Sequence, residues 1–176
     1  RTVGGLSSEA IARLFLVPVA TMQARITRAK KALTAAKVPF ETPPREEWPQ
    51  RLGGVLRVIY LIFTEGYAPT SGTAVVAPDI AAEALRVGRI LAALVPDEPE
   101  ATALVALMEF QASRFAARVA PDGSAVLLED QDRRRWDRSQ ITRGRDRLAR
   151  ADALAHDRGA YALQAAIAQE HAFAAS

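Results

Sequence analysis

Residues 23–31 are the stretch of this sequence best placed to do chemistry, and the chemistry is binding to a polyanion. Gln23, Arg25, Thr27, Arg28, Lys30 and Lys31 are interleaved with Met22, Ile26, Ala29 and Leu33, which recur at spacings of four, three and four. That spacing puts the apolar residues on one stripe of a helix and the polar and basic ones on its other faces. A polar N-terminal half can reach base edges in a groove, and a basic C-terminal half can hold phosphates. The same pattern also describes an ordinary solvated surface helix.

Other reactive groups are sparser. Glu129, Asp130 and Asp132 could hold a hard cation, but their spacing is not that of an EF-hand, and Arg133, Arg134 and Arg135 follow at once. These acids read instead as helix caps and partners for neighbouring arginines. Glu65 ends the most apolar helical stretch. It reads either as a carboxylate of raised pKa or as one hydrogen-bonded to backbone or to Arg114, Arg118 or Arg133. Trp136 reads as a core anchor. His156 and His171 stand on different predicted helices, and the chain has no cysteine, so neither a metal site nor a disulfide framework is expected. No nucleophile elbow, phosphate-cradling glycine loop or HExxH occurs. No catalytic residue, cofactor or metal is therefore expected.

The basic residues need elements to hold them. Ser7 can cap a first helix, with Leu6 stapled onto Ile11, and Ile11, Leu14 and Phe15 fall at inward-facing helical positions. Pro18 lacks an N–H and suits the start of a second helix. Two helices joined by a short turn, the second basic, have the layout of a helix-turn-helix. Charge agrees: residues 1–40 carry seven Lys or Arg and one acid, while the remaining residues carry 16 basic and 19 acidic side chains. A basic head on a mildly acidic body suits a polyanion that touches only the head.

Beyond the head, Pro39, Pro43, Pro44 and Pro49 mark residues 38–49 as an extended linker or a loop packed on the body. Leu52, Val55, Leu56, Ile59, Ile62 and Phe63 then predict a helix over about 46–65, apolar on several sides and so the expected central one, with Gly53-Gly54 allowing close packing and Gly66 ending it. A helix from Pro78 to about Val95 follows, with Ile80, Ala84, Val87, Leu91 and Leu94 inward. A third covers about 100–117, with Leu104, Leu107, Met108, Gln111 and Phe115 inward. Asp122-Gly123 between apolar residues predicts a short β-hairpin within 117–128. Helices from Arg134 or Asp137 to Ala155 and from Gly159 to Phe173 close the chain. The fold class is mainly all-α: a partial helix-turn-helix, then a helical, repeat-like domain over 50–176. A hydrophobic content of 49% supports a true core, and no run nears the roughly 18 apolar residues of a membrane span.

The stretch GLSSEAIARLFLVPVATMQARITRAKKAL resembles region 4, the C-terminal DNA-binding region of extracytoplasmic-function sigma factors of bacterial RNA polymerase. Gly5-Leu6-Ser7, Ile11-Ala12, Thr21-Met22, Arg25-Ile26 and Arg28-Ala29-Lys30 match that family's pattern in order. Phe15-Leu16 stands where Leu-Gly is usual, Ala20 where Gly is common, and Lys30 where the pattern ends in Arg, which keeps charge and loses the guanidinium fork. IYLIFTEGY, RVGRILAALVPDEPE and LLEDQDRRRWDR are similar to signature stretches of a subgroup with a long, helical, tetratricopeptide-like C-terminal extension.

The resemblance implies binding to the −35 promoter element and to the beta flap of core polymerase. Thr21 opens the recognition helix in that pattern. Gln23, Ala24, Thr27 and Arg28 would face bases, and Arg25, Lys30 and Lys31 would lie near the DNA backbone. Ala24 could make only an apolar contact, for example with a thymine methyl. Glu65, Tyr67, Asp130, Asp132 and Arg133 belong to the signature stretches and would line one interaction surface of the extension. The resemblance also implies a cytoplasmic bacterial protein without membrane contact. The chain reads as a fragment lacking the upstream region 2 on which the extension could dock. Residues 1–37 would be the C-terminal part of region 4, 38–49 the linker and 50–176 the extension. The alternative is a helix-turn-helix regulator whose helical domain senses a small molecule.

Overall fold

A computed structural model describes residues 7–37, 41–68 and 76–174. The expected Leu6 staple, the inward side chain of Leu14 and part of the proline-rich stretch lie outside the described residues and side chains. In the head, α1 (Ser8–Leu14) is followed by α2 (Val19–Ala35). Ser7 Oγ accepts the Ala10 N–H at 3.1 Å and so satisfies a donor in the first turn of α1. Pro18 is the N-cap of α2, where its missing N–H costs nothing. Between the helices, Leu16 adopts a left-handed backbone with φ of 52° and is 93% exposed. A side chain in this conformation is strained against its own backbone.

The body contains α3 (Trp48–Tyr67), α4 (Pro78–Leu94), α5 (Pro99–Ala112), α6 (Arg138–Leu154) and α7 (Ala160–Phe173). Pro78 and Pro99 open α4 and α5 at positions where no helical N–H is needed. Asp137 caps α6 by accepting the Gln140 N–H at 3.0 Å. The sequence assigned helix capping to the acids at 129–132. Asp132 instead caps the short 3-10 turn Arg133–Arg135, one turn upstream of α6.

The central helix is α5 and not α3. Residues 101–110 of α5 are buried without interruption. One side, Ala101, Leu104, Val105 and Met108, joins the core formed with α3 and α4. The other, Ala103, Ala106, Leu107 and Phe110, joins the core formed with α6 and α7. α3 keeps only one face buried and leaves Val55 and Val58 exposed, and Leu94 of α4 is also exposed. Three further expectations change. Gly53 and Gly54 have no neighbour within 4 Å, whereas Gly66 packs against the Ala81 backbone and Gly144 against the Phe110 ring, where an added Cβ would lie 3.0 Å away. α5 stops at Ala112, and a 3-10 turn over Phe115–Ala117 follows.

The expected hairpin is reduced to a single bridge between Val119 and Ala125. A tight turn closes it: Gly123 has φ of 86°, and Asp122 Oδ1 accepts from the backbone and side chain of Ser124. The chain then turns into the 3-10 segment Leu128–Asp130, so no ladder extends and no strand forms among the described residues. The described part of the proline-rich stretch packs on the body, with Trp48 Nε1 donating to the Pro43 carbonyl at 2.8 Å. Among the described residues no helix is long and apolar enough to cross a membrane.

Candidate functional site

On α2, Met22 is buried, Thr21 and Ile26 are half-buried, and Ala29 and Leu33 are exposed. The apolar stripe is therefore used only at its N-terminal end. Gln23, Ala24, Arg25, Thr27, Arg28, Lys30 and Lys31 are all exposed. Among the described residues no acid forms an ion pair with Arg25, Arg28, Lys30 or Lys31. The helix thus presents several cations to solvent, with no acid among the described residues neutralising them.

The residues expected to share a surface on the extension part company. Glu65, near the end of α3, is buried. Tyr67 stacks on Phe63 and lies near Phe115. Its hydroxyl accepts from Arg114 Nη2, and the Arg118 guanidinium sits over its ring at 3.8 Å. Arg114 also lies 5.8 Å from the Trp136 ring, and Arg133 covers the same ring at 5.0 Å. Arg133 in turn donates to the carbonyls of His171 and Ala174 at the end of α7. Tyr67 and Arg133 are therefore linked through Arg114 and Trp136, an alternation of cations and rings. Asp130 and Asp132 are exposed. Asp132 pairs with Arg134 at 2.9 Å, and the hydrogen bonds from that side chain and backbone hold its carboxyl below the usual aspartate range.

Burial pushes the Arg114 guanidinium below its ordinary value; Tyr67 opposes that shift and the positive charge of Arg118 adds to it. Among the described residues three side-chain atoms are buried without a hydrogen-bond partner: Arg118 Nε, Trp136 Nε1 and Gln131 Oε1. Trp136 is 3% exposed, a core anchor with an unmatched donor.

The sequence reading missed Glu109. This lone carboxylate in the interior of α5 is fully buried and accepts from Arg89 of α4 at 2.6 Å and Arg143 of α6 at 3.3 Å. Arg147 stands near enough to feel both the carboxylate and the other arginines, although burial is the first cause of its lowered pKa. The available signal was an isolated acid inside an otherwise apolar helix, which must find a cationic partner when buried. Glu100 was also missed: its carboxylate accepts the N–H groups of Tyr161 and Ala162 and so tethers the N-terminus of α7 to α5. Among the described residues no group of three or more His, Asp or Glu side chains could hold a metal ion.

Residues 51–152 match the model of a family of unknown function, DUF6596. An uncharacterized protein of Rhizobium meliloti (strain 1021) is 49% identical over 174 residues, covering 98% of this chain and 40% of that protein. The chain thus spans about 40% of the length of that curated relative. No solved structure matches.

Proposed function

We propose a transcriptional role for this chain, which belongs to the DUF6596 family of unknown function. In this reading α2 is the DNA-reading helix of a region 4-type helix-turn-helix in an extracytoplasmic-function sigma factor, and α3–α7 form a regulatory extension. The observation that carries it is the open face of α2, where Gln23, Thr27 and Arg28 are exposed beside Arg25, Lys30 and Lys31, cations that no acid among the described residues pairs with. Gln23, Ala24, Thr27 and Arg28 meet base edges of a −35 promoter element; Arg25, Lys30 and Lys31 meet phosphates. Core RNA polymerase, through its beta flap, is the protein partner.

The extension acts in cis, on an upstream region 2 or on the head itself. The acidic excess of residues 41–176 against the basic head supports that contact.

In vitro transcription with the full-length protein and core polymerase tests both parts. The expected result is initiation at a defined start site, altered when residues 50–176 are removed. Failure to direct initiation at any promoter defeats the sigma-factor reading. Unchanged output after the deletion defeats only the regulatory one.

A further inference from the structure

A cleft of about 320 Å³ lies between α5 and α7. Its walls are mixed. Leu107, Leu128 and Ile167 supply apolar surface, and Gln111, Arg114, Gln164 and His171 supply polar groups. Ile167 is 61% exposed, so part of the apolar wall is uncovered. Arg114 is half-buried, and its one side-chain hydrogen bond among the described residues goes to a neutral phenol, Tyr67. No acid among the described residues pairs with Arg114 or with Arg118, although both cations share the Tyr67 ring.

Buried charge is normally matched by an opposite charge. The contrast within the same body is direct: Arg89 and Arg143 meet the buried carboxylate of Glu109. Among the described residues Arg118 Nε and Trp136 Nε1 are buried without an acceptor, but neither residue lines the cleft, so Arg114 is the guanidinium on its wall.

We propose that this cleft binds a small organic carboxylate, its carboxylate on Arg114 and its apolar part against Leu107, Leu128 and Ile167. A guanidinium meets a carboxylate with parallel N–H donors. Arg114 is the one arginine on a wall that also carries the His171 imidazole, and a single guanidinium fork matches one carboxylate better than a doubly charged phosphate. The volume lies at the lower end of the roughly 300–1,000 Å³ of small-molecule sites, which suits a free metabolite better than a docked peptide. Gln111, half-buried and adjacent to Arg114 on the wall, offers its amide as a further donor. The proposal does not depend on α2 reading DNA.

The test is calorimetric and NMR titration of the full-length protein with butanoate, hexanoate, octanoate, phenylacetate, hexanamide and inorganic phosphate. Saturable binding of at least one of the acids is expected, with hexanamide at least about tenfold weaker than hexanoate because a neutral head cannot pair with the guanidinium. Gln111→Glu places an internal carboxylate beside Arg114 with little change of shape. It is expected to weaken acid binding at least about tenfold while the protein stays folded by circular dichroism. Ile167→Ser, at an exposed position, should weaken octanoate more than butanoate. The proposal is overturned if no acid saturates by about 10 mM, if hexanamide binds as well as hexanoate, if phosphate displaces the acids at equal concentration, or if the folded Gln111→Glu protein binds them unchanged.

Discussion

Arg28 on α2 and Arg89 on α4 are the same side chain put to opposite uses. Arg89 donates through both Nε and Nη2 to one oxygen of Glu109, a carboxylate fully removed from water. Arg143 reaches the other oxygen from α6. One acid thus fixes two helices against the central one, and the charge is consumed in holding the body together. Arg28 is exposed, and no acid among the described residues pairs with it. Its helix keeps only Met22 buried, whereas α5 is buried on every side. The charge of Arg89 and Arg143 is structural, while that of Arg28 faces solvent. A change at Glu109 should therefore register as stability, and a change at Arg28 as binding.

The largest contrast is between side chains of the two apolar stripes. Phe110→Ala removes a ring at the meeting of α5 and α6 and is expected to cost about 3–5 kcal/mol. Leu33→Ala, at an exposed position of α2, should stay within about 0.5 kcal/mol. Denaturant melts of both variants decide this, and a large loss for Leu33→Ala would mean that the head packs on something.

Next comes charge. Glu109→Ala leaves Arg89 and Arg143 without their acceptor and is expected to cost about 3 kcal/mol, the low end for a broken buried pair because both guanidinia reach solvent. Arg28→Ala should leave the melt unchanged and, in the proposed DNA complex, cost about 1–3 kcal/mol at the cognate site. Equal weakening on every DNA sequence would make it a phosphate contact and not a base contact.

Glycines sharpen the comparison further. Gly144→Ala pushes a methyl into the Phe110 ring and should destabilise by about 1–3 kcal/mol. Gly53→Ala, facing open space, should stabilise by about 0.5–1 kcal/mol through helix propensity. In the head, Leu16→Gly relieves a left-handed backbone and should raise head stability by about 1 kcal/mol, read as slower amide exchange in α1 and α2.

The smallest effect is electrostatic. The Arg158 side chain holds the Asp152 carboxyl below the ordinary aspartate range. Its folded-state pKa is depressed, so its contribution is complete at neutral pH and is lost as pH falls through that lowered value. Carbon-detected titration should show the Asp152 midpoint rising towards the ordinary range in Arg158→Ala; an unmoved midpoint would remove the pair from the account.

Local signals gave most helix ends. Pro78 and Pro99 mark starts because an N–H is dispensable there, and Gly159 precedes a start as a residue outside the helix. The basic stripe of α2 was equally legible, because its spacing alone determines which residues share a face. The hairpin was misread because a turn motif says where a chain reverses and not whether enough residues pair on either side. The central helix was misassigned because periodicity weighs large side chains, and α5 is buried all round largely through alanine, which lets α3, α4, α6 and α7 approach it.

The order of the helices and the charge of α2 are properties of short stretches, and the amino-acid sequence by itself determined them. Which carboxylate on α5 would meet arginines, which arginines those would be, and which arginines would gather around Tyr67 and Trp136 was decided only by tertiary structure. Those contacts join residues tens of positions apart, and whether a charge is matched depends on what the packed helices bring beside it once water has been excluded.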